Sequence, residues 1–243
     1  MCGRYSLTTP VEAVRKVFDF PERPNLAPRA NIAPSQDVAA VRLASGGSGE
    51  AGRRFVWLRW GLVPAWAKDP AIGNRTINAR AETLAEKPAF RAAFRKRRCL
   101  IVADGFYEWK TEAGGKQPYR ITLVDGGPFA LAGLWERWAG PPGGEAQGGE
   151  VIESCTIVTT EANARLREIH PRMPVILAPE AFDAWLDPRT PGAQAAALLV
   201  PFPAEALTHY RVSPRLNSPA NDDPALIEPL DAPAEASGQP RLL

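Results

Sequence analysis

Cys99-Leu100-Ile101-Val102-Ala103, running directly into Asp104-Gly105-Phe106-Tyr107-Glu108-Trp109, is the stretch whose reading decides the fold. An apolar run this short and rich in aliphatic residues predicts a buried strand rather than a helix. Gly105 permits a bend after it. The aromatic run that follows leaves Glu108 between two large rings. A carboxyl enclosed in that way is raised by desolvation toward the range useful for proton transfer, whereas one pointing to water keeps its ordinary value; the local sequence leaves both open.

Strands recur outward from this stretch in both directions. Residues 38–43, 55–60, 154–160, 175–177 and 207–212 carry β-rich patterns, and residues 119–124 and 129–138 flank Asp125-Gly126-Gly127, which reads as a hairpin turn. Helices are fewer. Thr9-Pro10-Val11-Glu12 reads as a capping box opening a short helix with Val11, Val14 and Phe18 on one face, which leaves residues 2 to 6 as an extended arm. Residues 88–98 read as a helix with Phe90, Ala93 and Phe94 inward and Arg91, Arg95 and Arg98 outward. Further helices are expected from Glu161 to Ile169 and near 179–186, and residues 21–36 read as irregular backbone. Strands that outnumber helices without alternating with them indicate an α+β fold on a curved, largely antiparallel sheet with a barrel-like core and flanking helices. No linker divides residues 1–228, which form a single expected domain. Glycine-rich loops at 46–52 and 140–149 and a disordered tail at 229–243 complete the outline.

The 243 residues are 45% apolar with a net charge of +2, values of an ordinary soluble protein. No apolar run is long enough to span a bilayer and no signal peptide is evident, so a cytoplasmic protein without membrane partners is expected. Three cysteines, Cys2, Cys99 and Cys155, and two histidines, His170 and His209, lack metal-type spacing. Neither a disulfide framework, a metal nor a cofactor is expected, and Cys99 and Cys155 read as buried, inert thiols. The cations are mostly arginine, the better bidentate partner for phosphate, although base composition of the genome gives the same bias.

Cys2 stands apart. Removal of Met1 makes it a 1,2-aminothiol, which condenses with an aldehyde as an imine and closes to a thiazolidine; the amine and thiol have ordinary pKa values of about 7.7–8.0 and 8.5. Three further features have chemistry to offer. Asn78, Arg80 and Glu82 alternate and share one face if that segment is extended. Two prolines hold His170 and Arg172 in a non-helical place. Trp66 follows the Gly61 and Pro64 strand stop on a loop, either covering a core edge or offering a platform on which a nucleobase stacks.

Together, Met1-Cys2-Gly3-Arg4, Asn31-Ile32-Ala33-Pro34, the run from Trp60 to Trp66, Asn78-Ala79-Arg80-Ala81-Glu82, the run from Asp104 to Trp109, and His170-Pro171-Arg172-Met173-Pro174 resemble the SRAP family, the SOS response-associated peptidase or abasic-site-processing proteins. The likeness runs in order through roughly the first 220 residues. It implies a sensor of abasic sites in single-stranded DNA whose N-terminal cysteine forms a thiazolidine crosslink with the ring-opened sugar. Cys2 would be the nucleophile, Asn78 would hold the sugar and the N-terminus, Glu108 would handle protons at the amine, and His170 would act in sugar opening and reversal. Arg4, Arg80 and Arg172 would meet phosphates, Trp66 and Pro34 would wedge or stack against bases, and Asn31, Thr159 and Asn217 would be secondary DNA contacts. A monomer associated with the nucleoid and meeting replication-fork proteins is the matching expectation. Val102, Ala30 and Ser35 depart from the family pattern without touching the proposed chemistry. Two other readings stand beside this one: an N-terminal-nucleophile cysteine peptidase whose main cleavage is its own processing, and a non-enzymatic single-stranded DNA-binding module.

Overall fold

The computed structural model describes residues 2–44, 52–140 and 151–230, so the two glycine-rich loops and most of the C-terminal tail lie outside the described residues. Along the chain come β1 (Tyr5–Leu7), α1 (Val11–Phe18), β2 (Arg29–Ile32), β3 (Asp37–Leu43), β4 (Arg53–Trp60), β5 (Asn78–Arg80), α2 (Arg91–Lys96), β6 (Arg98–Ala103) and β7 (Gly105–Glu112). They are followed by β8 (Gly115–Leu123), β9 (Phe129–Trp138), β10 (Ile152–Glu161), β11 (Arg172–Pro174), β12 (Ile176–Leu177), α3 (Phe182–Leu186), α4 (Gly192–Ala197) and β13 (Leu207–Arg211).

The apolar run of β6 is buried throughout, because this strand is an internal stave of a closed barrel and is covered outside by α2, α3 and β1. The barrel runs β10-β4-β3-β6-β9 and returns to β10. Its pairings are antiparallel except β4 with β10, where Trp60 lies beside Cys155 in parallel register. β5 also joins β10 in parallel, with Asn78 beside Ile157 and Arg80 beside Thr159, and β11 extends the far end of β10. A second, five-stranded antiparallel sheet has the order β13-β8-β7-β1-β2. The α+β class with a barrel-like core is therefore the architecture observed.

The chain passes from barrel to sheet at Asp104, the residue between β6 and β7. Its buried carboxylate accepts from Ser6 Oγ at 2.7 Å, from Thr9 N at 2.8 Å, from both groups of Thr8 and from Arg120 Nη2 at 3.1 Å. Burial pushes the Asp104 carboxyl up, but these donors outweigh it and hold it below the usual carboxylate range. Gly105 is needed here for space: a Cβ would lie 2.7 Å from Arg120 Nε.

Several expectations are corrected. Residues 2 to 6 are no free arm, because β1 lies between β7 and β2 as an internal strand. Pro10 occupies the N-cap of α1 with no side-chain cap, and the Thr9 hydroxyl bonds Asp104 instead. Residues 29–32 form β2 within the segment read as irregular. The Asp125-Gly126-Gly127 turn does not close a hairpin; β8 enters the five-stranded sheet while β9 enters the barrel. A 3-10 turn, Leu166–Glu168, replaces the helix expected after Glu161. Helix α2 is shorter than expected, and Arg98 is buried rather than outward, donating to the carbonyls of Phe94, Trp185 and Asp187 near the ends of α2 and α3. Those carbonyls are left without helical partners, so a buried guanidinium there is satisfied.

Candidate active site

Strand β1 positions Cys2. Tyr107 N donates to Arg4 O at 3.0 Å and Asp104 N donates to Ser6 O at 2.9 Å, fixing the N-terminal segment against β7. Asn78 reaches it from β5, its Nδ2 donating to Cys2 O at 2.9 Å. Asn78 Oδ1 is buried and has no hydrogen-bond partner among the described residues, which leaves it as an available acceptor beside Cys2. The Cys2 thiol is fully buried; burial first, and then the negative charge of Glu108, hold it protonated far above the ordinary cysteine range.

Glu108 is buried, the outcome that the aromatic neighbours alone left open. Burial pushes its carboxyl up to about 7, against the positive charge of the amino terminus. His170 Nδ1 lies 3.9 Å from Glu108 Oε2 and 3.0 Å from the backbone N of Arg172. Burial lowers the imidazole below its ordinary value, ahead of the amino terminus, while a hydrogen bond to the Arg172 carbonyl opposes the shift. Four residues, from the segment before β1, from β5, from β7 and from the turn before β11, thus converge: Cys2, Asn78, Glu108 and His170. A buried thiol, a carboxyl near neutrality and a neutral imidazole set together suit proton transfer.

The expected phosphate contacts divide. Arg80 is exposed at the end of β5. Arg172 is held by its own protein, with Nη1 2.7 Å from Glu82 Oε1, Nη2 3.0 Å from Glu82 Oε2 and Nη2 2.7 Å from Thr159 O. Thr159 itself is fully buried in β10 and does not face solvent. Arg4 donates to Asn31 Oδ1 at 3.0 Å, to Leu216 O at 2.7 Å and to Asn217 O at 3.3 Å. Asn31 is likewise fully buried, and its Nδ2 meets the carbonyls of Leu216, Ser218 and Asn221. In the free chain Arg4, Asn31 and Thr159 all carry internal bonds, which tie segments 216–221 and β11 in place. Asn217 is exposed, its Oδ1 accepting from Trp109 Nε1 at 2.8 Å next to Glu108.

Trp66 is 52% exposed on its loop and lines a cleft of about 270 Å³ with Lys68 and Arg75. Pro34 is half-buried in a tight turn whose next residue, Ser35, has φ +71°. Ser35 N donates to Trp60 O and its hydroxyl to Asn74 Oδ1, so the Pro34 turn is joined to the segment beyond Trp66. The sequence reading missed Glu82 as the partner of Arg172, and Trp109 as that of Asn217. The alternation of Asn78, Arg80 and Glu82 was the available signal for the first; nothing local marked the second.

An α+β protein with an enclosed N-terminal thiol site is what this arrangement defines. The family model of the SOS response associated peptidase (SRAP) matches residues 1–219, and the chain belongs to that family. It is 41% identical to the abasic site processing protein YoaM of Bacillus subtilis over 94% of this chain and 98% of that one. It is 32% identical to the abasic site processing protein HMCES of Mus musculus, covering 95% of this chain and 76% of the relative. A crystal structure of a Bacteroides thetaiotaomicron protein superposes with a TM-score of 0.81 at 28% identity, over 94% of this chain and 99% of the other. Among the described residues no helix is long and apolar enough to cross a membrane.

Proposed function

We propose that this chain processes abasic sites in single-stranded DNA by covalent capture of the sugar aldehyde on Cys2 after loss of Met1. The observation that carries the reading is the convergence of Asn78, Glu108 and His170 around Cys2. The α-amine attacks the aldehyde carbon of the opened sugar, and the hemiaminal loses water to give the imine. The thiol then adds across the C=N bond, sulfur to carbon and proton to nitrogen, closing the thiazolidine. Glu108, at about 7, takes the proton that the ammonium must shed and returns one where water leaves. His170 supplies a proton for sugar opening and for reversal, and Asn78 Oδ1 accepts from the amine or a sugar hydroxyl. An abasic site offers no base to read, so backbone charge at Arg80 and stacking on Trp66 supply recognition.

The family description names a peptidase, and an N-terminal cysteine can attack an amide. The burial and the neighbouring carboxylate that hold the Cys2 thiol protonated work against that role, since the thiolate is the nucleophile. Amine-first chemistry has no such requirement. Association with the nucleoid and with replication-fork proteins extends the same reading. The test is to incubate the Met1-processed chain with a single-stranded oligonucleotide carrying one abasic site. A heat-stable adduct one protein mass heavier is expected from the parent. Cys2→Ala should give a borohydride-trappable imine and no heat-stable product. Peptide turnover without an adduct would reinstate the peptidase, and undiminished protection of the strand by Cys2→Ala would leave a binding module.

A further inference from the structure

The Glu82–Arg172 pair sits at the rim of the site and is doubly bonded, with Nη1–Oε1 of 2.7 Å and Nη2–Oε2 of 3.0 Å. The two side chains differ in exposure. Arg172 is 16% exposed and braced from below by Thr159, whereas Glu82 is 46% exposed on the turn directly after β5. The carboxylate therefore covers the outer edge of a fixed, forked guanidinium. A phosphate oxygen pair would dock on that same edge, since carboxylate and phosphate present matching bidentate acceptors. Arg80 stands two residues before Glu82 with its guanidinium exposed, and its charge acts on Glu82 as well. Withdrawal of the carboxylate would leave two cations, Arg80 and Arg172, on β5 and β11, the two strands that flank the same end of β10.

We propose that Glu82 is a built-in phosphate surrogate: it occupies the phosphate position on Arg172 in the free protein and is displaced by a backbone phosphate of the bound strand. This rests on the DNA-binding function proposed above. The exchange replaces one acceptor pair by another, so Arg172 stays satisfied in both states and needs no rearrangement of Thr159. It also means that the strand gains less from Arg172 than from an unpaired arginine, because the internal carboxylate must first be removed.

The experiment measures equilibrium binding of the parent, Glu82→Ala, Glu82→Gln, Arg172→Ala and Glu82→Ala/Arg172→Ala, as a function of salt, to a single strand carrying a tetrahydrofuran abasic analogue, which has no aldehyde to capture. In both Glu82 variants the dissociation constant is expected to fall by about 2- to 5-fold, the scale of an exposed ion pair. The slope of log K against log salt should stay that of the parent in both Glu82 variants and become shallower by about 0.7 in Arg172→Ala, one phosphate contact fewer on a single strand. The affinity gain should be absent in the Arg172→Ala background. Parent binding with unchanged or weaker binding in both Glu82 variants overturns the inference, and would mark Glu82 as a brace for Arg172. Failure of the parent to bind the strand at all would overturn the proposed function, and the inference with it.

Discussion

His170 Nδ1 lies 3.9 Å from Glu108 Oε2, and that same nitrogen faces the backbone N–H of Arg172 at 3.0 Å. The Arg172 carbonyl oxygen lies at the same 3.0 Å, so Nδ1 accepts from the N–H when it is deprotonated and donates to the carbonyl when it carries the proton. Burial raises the carboxyl to about 7 and lowers the imidazole, which inverts the usual order of the two groups. Near neutrality the proton goes to Glu108 before it goes to His170.

The rate of adduct formation should therefore rise as pH passes upward through about 7, where Glu108 loses its proton and becomes able to accept one from the ammonium. Glu108→Gln should slow formation by roughly 10²- to 10⁴-fold, the usual contribution of a general base, and remove that inflection. Single-turnover gel assays over about pH 6 to 8 measure both, and an unchanged profile in the variant would remove Glu108 from the proton path.

His170→Ala should slow reversal of the adduct by roughly 10²-fold or more while changing strand affinity far less. Because the imidazole is held below its ordinary value of about 6.5, its acid form gathers only below that pH, so reversal in the parent should accelerate there. A flat profile is expected from the variant. Equal losses of rate and affinity would make His170 a contact instead.

Asp104→Asn should cost about 3 kcal/mol, because it leaves the buried guanidinium of Arg120 without its counter-charge. The folded-state carboxyl lies below the unfolded value of about 3.9, so its stabilisation is fully present above that pH and is lost as pH falls through the folded-state value. Urea titrations should show the variant less stable near neutrality, with the difference closing at strongly acid pH.

Gly105→Ala should destabilise by about 1–3 kcal/mol, since its Cβ meets Arg120 Nε at 2.7 Å and either the arginine or β7 must shift. Thermal unfolding measures it. Because the same network anchors β1, adduct formation should fall as well, although the substituted position is not beside Cys2.

Arg4→Ala separates an internal role from a phosphate contact. Loss of its bonds to Asn31, Leu216 and Asn217 should cost about 1–3 kcal/mol and open residues 213–223 to limited proteolysis. The salt dependence of DNA binding should hold steady. A slope shallower by about 0.7 would instead show that Arg4 meets the strand.

Much of this molecule is legible in local sequence. Apolar runs such as residues 99–103 specify strands because a strand needs only a few residues of suitable type, and Cys2 announces its chemistry because an aminothiol is a property of one residue at a chain end. Tertiary structure decided what depends on distant partners. A glycine turn at residues 125–127 specifies a reversal but not where the two strands pair, and here they part into different sheets. Arg98 has the spacing of an outward residue, yet two helix ends converge on it with carbonyls to satisfy. The burial of Glu108 and its approach to His170 arise only when β7 and the turn before β11 meet beside Cys2. Desolvation and charge act through space, so the residue types were readable from the chain, but their pKa values, and the pairing of Arg172 with Glu82, exist only once the barrel has closed.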